Sequence, residues 1–135
     1  MATIFTRIID GGIPGVFVHR DDHCVVFMSI NPIARGHALV VPIDEFDHWV
    51  DGSPELIAHL FEVARRVGVA QLKAFDCQRV GLIIAGYEVP HTHLHVFPST
   101  SMGQFNFARA AASVTQEELD DAARRIRAAL GSGGG

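Results

Sequence analysis

Cysteine is scarce, and that scarcity sets the first limit. Cys24 and Cys77 are the only two in 135 residues and share no Cys-x-x-Cys spacing. They read as reduced, partly buried thiols of a cytosolic protein, with a bridge between them left open by sequence alone. Long apolar runs are missing too: none nears the roughly 20 residues of a membrane span. The start, Met1-Ala2-Thr3-Ile4-Phe5-Thr6-Arg7, lacks the basic and then apolar regions of an export signal. Nor is there a basic excess. Lys and Arg total 11 against 15 Asp and Glu, a net charge of −4 with pI near 6.0, which argues against a nucleic-acid polymer as partner. A small anionic ligand stays open, because local dipoles and histidines hold phosphate whatever the global charge. No repeat or linker divides the chain. With 48% hydrophobic and 19% charged residues, it is expected to form one globular domain over residues 1–130, followed by a flexible Gly/Ser tail, 131–135.

Local patterns predict the elements. Val16-Phe17-Val18-His19 and Cys24-Val25-Val26-Phe27-Met28 are expected strands joined by an Asp21-Asp22 turn. A loop with Asn31-Pro32 and Gly36 leads to a third, 37–41, ended by Pro42. Ser53 is a fitting N-cap with Pro54 at the first helical position, and Leu56, Leu60, Val63 and Val67 give that helix its apolar face. Residues 80–85 read as a fourth strand. A last helix is expected from Thr115, with Glu118 completing a capping box, an apolar stripe of Leu119, Ala122, Ala123, Ile126 and Leu130, and i,i+4 pairs Asp120–Arg124 and Asp121–Arg125. Together these suggest an α+β domain.

One segment stands apart. In His91-Thr92-His93-Leu94-His95-Val96-Phe97-Pro98 three histidines alternate with apolar or β-branched residues, so a strand ended by Pro98 is expected with all three imidazoles on one face and Thr92, Leu94 and Val96 directed into a core. Three chemistries compete for such a row. A metal could take a His-x-His pair, but at ~3.3 Å rise per residue the outer two Cβ atoms stand ~13 Å apart, and a Zn–N bond spans only about 2 Å. Three polar residues on an exposed face would need no function. Metal-free phosphoryl chemistry uses the whole row: a neutral imidazole attacks phosphorus to give a covalent intermediate, and protonated neighbours donate to the non-bridging oxygens.

These residues resemble the signature of the histidine triad (HIT) superfamily, His-φ-His-φ-His-φ-φ, with Thr92 a mild departure. Ile4-Phe5-x-x-Ile8-Ile9-x-Gly11-x-Ile13-Pro14 resembles that superfamily's opening segment, and Ile30-Asn31-Pro32 followed by Gly36-His37-x-Leu39-Val40-Val41-Pro42 its second block. The resemblance covers nearly the whole chain. It implies an α+β fold with a five-stranded antiparallel sheet and two main helices, a homodimer, and hydrolase or transferase action at the α-phosphate of nucleotides, nearest the nucleoside-phosphoramidase-like branch. By position, His93 would be the nucleophile, His95 would contact the phosphate, His91 would support the site, and His37 would be a fourth histidine. Ile4, Phe5, Ile8, Phe27 and Ile30 would hold base and ribose. The expected substrate is a nucleoside 5′-phosphoramidate or related conjugate, with no metal and no cofactor; a dinucleoside polyphosphate hydrolase and a weakly catalytic nucleotide sensor are the alternatives.

The departures bear on the substrate. Thr3 and Thr6 stand where some relatives carry a zinc-binding Cys-x-x-Cys. Ser29 replaces an aspartate that holds the ribose hydroxyls, and a serine cannot offer a carboxylate's bidentate, charge-assisted pair. Tyr87-Glu88 replace a Gln-Ser or Gln-Thr, and the loop before them is shortened to Leu82-Ile83-Ile84-Ala85. Glu88 would repel a phosphate unless turned away or bound to a cation. His19 and His23, flanking the Asp21-Asp22 turn, are expected to be solvated, His48 and His59 to lie on the surface or pack, and Trp49 to pack with Phe46.

Overall fold

Alternation along the central strands sorts side chains onto two faces of one sheet. In the computed structural model of the protein, which describes residues 2–132, β1 (Phe17–Arg20), β2 (Cys24–Met28), β3 (Ala38–Pro42), β4 (Arg79–Ile83) and β5 (Leu94–Ser99) form an antiparallel sheet in the order β1-β2-β3-β5-β4. Both β2 and β3 are buried throughout. Cys24, Val26, Met28, Ala38, Val40, Leu94 and Val96 pack on one face against the long helices α2 (Pro54–Ala74) and α3 (Gln116–Ser132). Val25, Phe27, Leu39 and Val41 turn to the other face, where Phe5 and Ile9 of α1 (Ile4–Ile9) cover them. The expected α+β class, five-stranded antiparallel sheet and two main helices are those of the structure.

The helix starts follow their caps. Ser53 Oγ accepts the Leu56 N–H at 3.1 Å, with Pro54 as first helical residue. Thr115 Oγ1 accepts from Glu118 N–H at 3.1 Å. On the wet face of α3, Arg124 pairs with Asp121 rather than with Asp120. Asp121 also takes Arg125 and Arg35, while Asp120 accepts from Gln116 Nε2. Gly131 and Ser132, expected in the tail, continue α3, since both still supply the N–H that an α-helix bonds to residue i−4. Residues 133–135 of that tail lie outside the described residues.

Strand bounds shift where ladders find partners. The triad segment enters the sheet only at Leu94, because the β3–β5 ladder runs from Val40↔Leu94 to Ala38↔Val96. His91–His93 precede it in irregular backbone, with His91 N–H bonded to Val89 O and Thr92 N–H to Phe46 O. Thr92 is buried, yet its hydroxyl donates to Asp47 O at 3.3 Å instead of joining the core. Nor does Pro98 end the strand: it pairs with Val80 beyond the end of the β3 ladder, where a residue without an N–H is tolerated.

Gln71 pins the sheet to α2 beside the site. Wholly buried, it donates through Nε2 to Gly36 O at 2.9 Å and to Val96 O at 3.0 Å. Gly36 has φ +91°, and a Cβ there would sit 2.5 Å from the Phe75 ring, so only glycine fits. Gln71→Leu keeps the volume but removes both donors, which should cost about 1–3 kcal/mol, read as a lower urea midpoint at unchanged slope. An unchanged midpoint would mean that the two carbonyls need no such partner.

Candidate active site

The face of the sheet opposite α2 and α3 opens beside α1 into a cavity of about 570 Å³, within the range of small-molecule sites. Every sequence candidate except His91 lines it: His37, His93 and His95, the apolar Ile4, Phe5, Ile8, Phe27 and Ile30, and the polar Ser29 and Glu88. The walls are predominantly apolar, so polar function concentrates in the histidines. Leu39 lines the cavity too, and its place two residues after His37 on the same strand face would have found it. Phe107 and Ala110–Ala112 were missed. They follow β5 in turns of their own, held by Asn31 Nδ2, which donates to Ala111 O and Ala112 O at 3.2 and 2.9 Å, and nothing in their local pattern announces this long-range contact.

The three imidazoles do share one side. Phe5 stands edge-on to His93 at 4.8 Å and tilted to His91 at 5.9 Å, and the His93 and His95 rings are 4.8 Å apart. His91 lies behind the cavity, fully buried. Its Nε2–H donates to Pro42 O at 2.7 Å, which leaves Nδ1 to accept from the Thr3 hydroxyl at 2.7 Å. Thr6 Oγ1 and Thr3 N–H both donate to Glu45 Oε1. Hydroxyls of Thr3 and Thr6 thus bond the triad's first ring and a carboxylate.

Partners dictate the other tautomers. His93 Nδ1–H donates to His91 O at 2.7 Å, so its lone pair is on Nε2. The Ile33 N–H donates to His37 Nδ1 at 3.0 Å, so His37 carries its proton on Nε2 and donates to His95 Nδ1, again at 3.0 Å. His95 is left with its proton on Nε2. One ring facing the cavity is then a nucleophile and its neighbour a donor, with no charge needed on either.

Burial reinforces this. It pushes His37 down to about 4, helped by repulsion from His93, and His95 down to about 3, helped by His93 and His37. His93 is lowered as well, chiefly by burial, against the opposing pull of its bond to His91 O and of the Glu88 charge. The cationic donors expected from the sequence are therefore neutral N–H donors at pH 7 in the ligand-free chain. An anionic phosphate at the site would raise the rings' basicity again. Glu88 is exposed at the cavity's rim, close enough for its charge to act on His93. Ser29 Oγ accepts from Asn31 N–H at 3.2 Å, which leaves its own proton free to donate.

Of the remaining histidines, His19 and His59 are not simply solvated: each Nε2 lies 2.8 Å from Asp21 Oδ2, on the helix side of the sheet. Trp49 remains more than a third exposed. Both cysteines are free thiols.

The HIT domain model matches residues 10–102, more than half of the chain. The chain is a HIT-family protein. A HIT-like protein of Methanocaldococcus jannaschii is 38% identical over 101 residues, covering 70% of this chain and 77% of that one. An adenylylsulfatase of Arabidopsis thaliana is 27% identical over 100 residues, 70% of this chain and 51% of that protein. Among solved structures, a HIT-like protein of Bartonella henselae involved in cell-cycle regulation, with an unknown ligand, superposes with a TM-score of 0.83 at 29% identity, covering 94% of this chain and 95% of that one. HIT proteins are in general nucleotide-binding hydrolases or transferases. No helix among the described residues of this HIT protein is long and apolar enough to cross a membrane.

Proposed function

We propose that this HIT protein hydrolyses nucleoside 5′-phosphoramidates or related nucleotide conjugates through a covalent nucleotidyl-His93 intermediate. The observation that carries the reading is the proton placement: a lone pair on His93 Nε2 beside a donor on His95 Nε2, in a cavity whose walls suit a base and sugar. His93 attacks the α-phosphorus as the bond to the leaving group breaks, the departing nitrogen taking its proton from solvent. The positive charge it gains is shared through Nδ1–H with His91 O. His95 donates to a non-bridging oxygen where charge gathers, and His37 holds His95 in that tautomer. Water then cleaves the phosphorus–nitrogen bond to His93, freeing a nucleoside monophosphate. The Arabidopsis relative supports the substrate class, since its name denotes action on an adenylyl conjugate. Within the same reading the protein is a cytoplasmic homodimer. Two free thiols suit a reducing compartment, and the exposed Phe61, Val69 and Leu72 along α2 with Leu82 on β4 offer an apolar surface that sedimentation would find covered.

Brief incubation with adenosine phosphoramidate followed by intact-mass spectrometry tests the chemistry. An adenylyl adduct absent from His93→Ala is the expected result. Tight binding with neither adduct nor turnover would replace the enzyme by a nucleotide sensor, and loss of activity in EDTA would return the reaction to a metal.

Two further results should follow. The acid limb of kcat/KM should fall below the ordinary histidine value of about 6.5, because protonation of His93 removes the lone pair and its folded value is depressed. A limb at or above 6.5 would mean that His93 is not the group titrated. Ser29→Asp should lower KM for ribonucleotide conjugates by about tenfold, the worth of a charge-assisted hydrogen bond, and leave 2′,3′-dideoxy analogues unchanged. An equal effect on both would place the ribose elsewhere.

A further inference from the structure

We propose that the β1–β2 turn and the facing surface of α2 form a zinc site, built from His19, Asp21, Cys24 and His59 and separate from the nucleotide cavity. Three of the four donors come from one short segment, His19-x-Asp21-x-x-Cys24, and the fourth arrives from α2. Asp21 is the hub. Its Oδ2 lies 2.8 Å from His19 Nε2, 2.8 Å from His59 Nε2 and 3.6 Å from Cys24 Sγ. The donor atoms of His19, Asp21 and Cys24 all fall within 4.8 Å of one another. Zinc takes nitrogen at about 2.0–2.1 Å, carboxylate oxygen at about 2.0–2.2 Å and sulfur at about 2.3 Å in tetrahedral array, which sets its ligands roughly 3.3–3.8 Å apart. The hairpin donors lie within 4.8 Å of one another, so small side-chain rotations bring them onto an ion, and His59, on the same oxygen, is placed to close the fourth position by a rotation of its own.

The surroundings are those of an oriented ligand. Asp21 Oδ1 accepts the His23 and Cys24 backbone N–H groups at 2.8 and 2.9 Å, which fixes the carboxylate and leaves Oδ2 for the ion. Cys24 is fully buried, which suits a closed structural site. On binding, the Cys24 thiol loses its proton to solvent, and each imidazole moves its remaining proton to Nδ1 and coordinates through Nε2. A mixed His₂AspCys set with one thiolate favours zinc over magnesium or calcium, which prefer all-oxygen ligands. Val18 and Cys24 belong to the helix-side core and the nucleotide cavity to the opposite face, so the ion would clamp the hairpin to α2 and leave the reaction alone.

The full chain, stripped with a chelator and dialysed, should bind one equivalent of Zn²⁺ in calorimetry and melt several degrees higher with it. Co²⁺ in its place should give the visible bands of a tetrahedral site and a thiolate-to-metal band in the near ultraviolet. His59→Gln should weaken binding at least tenfold without changing turnover, and Cys24→Ser should remove the thiolate band. Should Cys24→Ser misfold, the cobalt spectra of the unsubstituted chain and of His59→Gln still decide. Zn²⁺ affinity unaltered in His59→Gln, or a cobalt spectrum without a thiolate band, overturns the proposal. So does one equivalent that disappears only in His93→Ala or His95→Ala, which would put the ion in the triad.

Discussion

His93→Ala should lower turnover of adenosine phosphoramidate by about 10⁴-fold or more, the scale seen when a covalent nucleophile is deleted, while the chain stays folded. The size follows from the absence of a substitute. His91 lies behind the cavity with both ring nitrogens engaged, His37 spends both on Ile33 and His95, and the one lone pair of His95 is committed to His37. No second imidazole nitrogen among these residues is free to attack. Folding should survive because His93 precedes β5 and contributes no ladder pair. What the substitution removes is edge contacts with the Phe5 and His95 rings and a bond to His91 O, a loss of about 1–2 kcal/mol. Stopped-flow turnover and the mass of the acid-quenched protein measure the chemistry, and a urea titration measures the fold. A folded His93→Ala that still acquires the adenylyl mass would assign the nucleophile to another residue; an aggregated one would make His93 structural.

The parts of this molecule that were legible in its sequence are those decided by neighbours in the chain. A continuous apolar run after the Asp21-Asp22 turn placed β2 to the residue, because Cys24–Met28 is buried on both faces, and Ser53-Pro54 marked the first turn of α2, because cap and proline act within one turn. The facing of the triad was legible for the same reason, although His91–His93 never enter the ladder: the β3–β5 pairing stops at Val40↔Leu94, and Val41 and Pro42 of β3 take no partner from β5. Illegible were contacts made across the fold. Phe107 reaches the His95 ring, at 4.6 Å, only because Asn31 fastens Ala111 and Ala112 eighty residues away. His59 meets Asp21 across 38 residues, and no local spacing couples them. The six residues of α1 are too few to show a helical period, so Ile4, Phe5 and Ile8 could be named only by resemblance. Charge state was the other blind spot. Spacing says that imidazoles adjoin, but only burial decides that they adjoin as neutral rings.

His95→Ala should reduce kcat by about 10²–10³-fold, the usual effect of deleting one preorganised donor at a developing oxyanion, with KM changed far less. Nothing covalent is lost, so the adduct on His93 should still form, slowly, and single-turnover mass spectrometry should catch it. His95→Gln offers an amide N–H in the same region and should recover part of the rate. His37→Ala acts one step removed. It leaves His95 in place but frees its tautomer, so a fraction of the rings would present a lone pair instead of a proton to the phosphate; the loss should be smaller, about tenfold. The double variant should be no worse than His95→Ala alone, since His37 works only through His95 Nδ1. Additive losses would mean that His37 reaches the reaction by another route. Leaving-group dependence distinguishes the two possible duties of His95. A donor to the non-bridging oxygen leaves the slope of rate against leaving-group pKa unaltered when it is deleted, whereas a general acid makes poor leaving groups suffer most. With its ring held neutral near pH 7 by burial and by its neighbours, His95 should show the first behaviour.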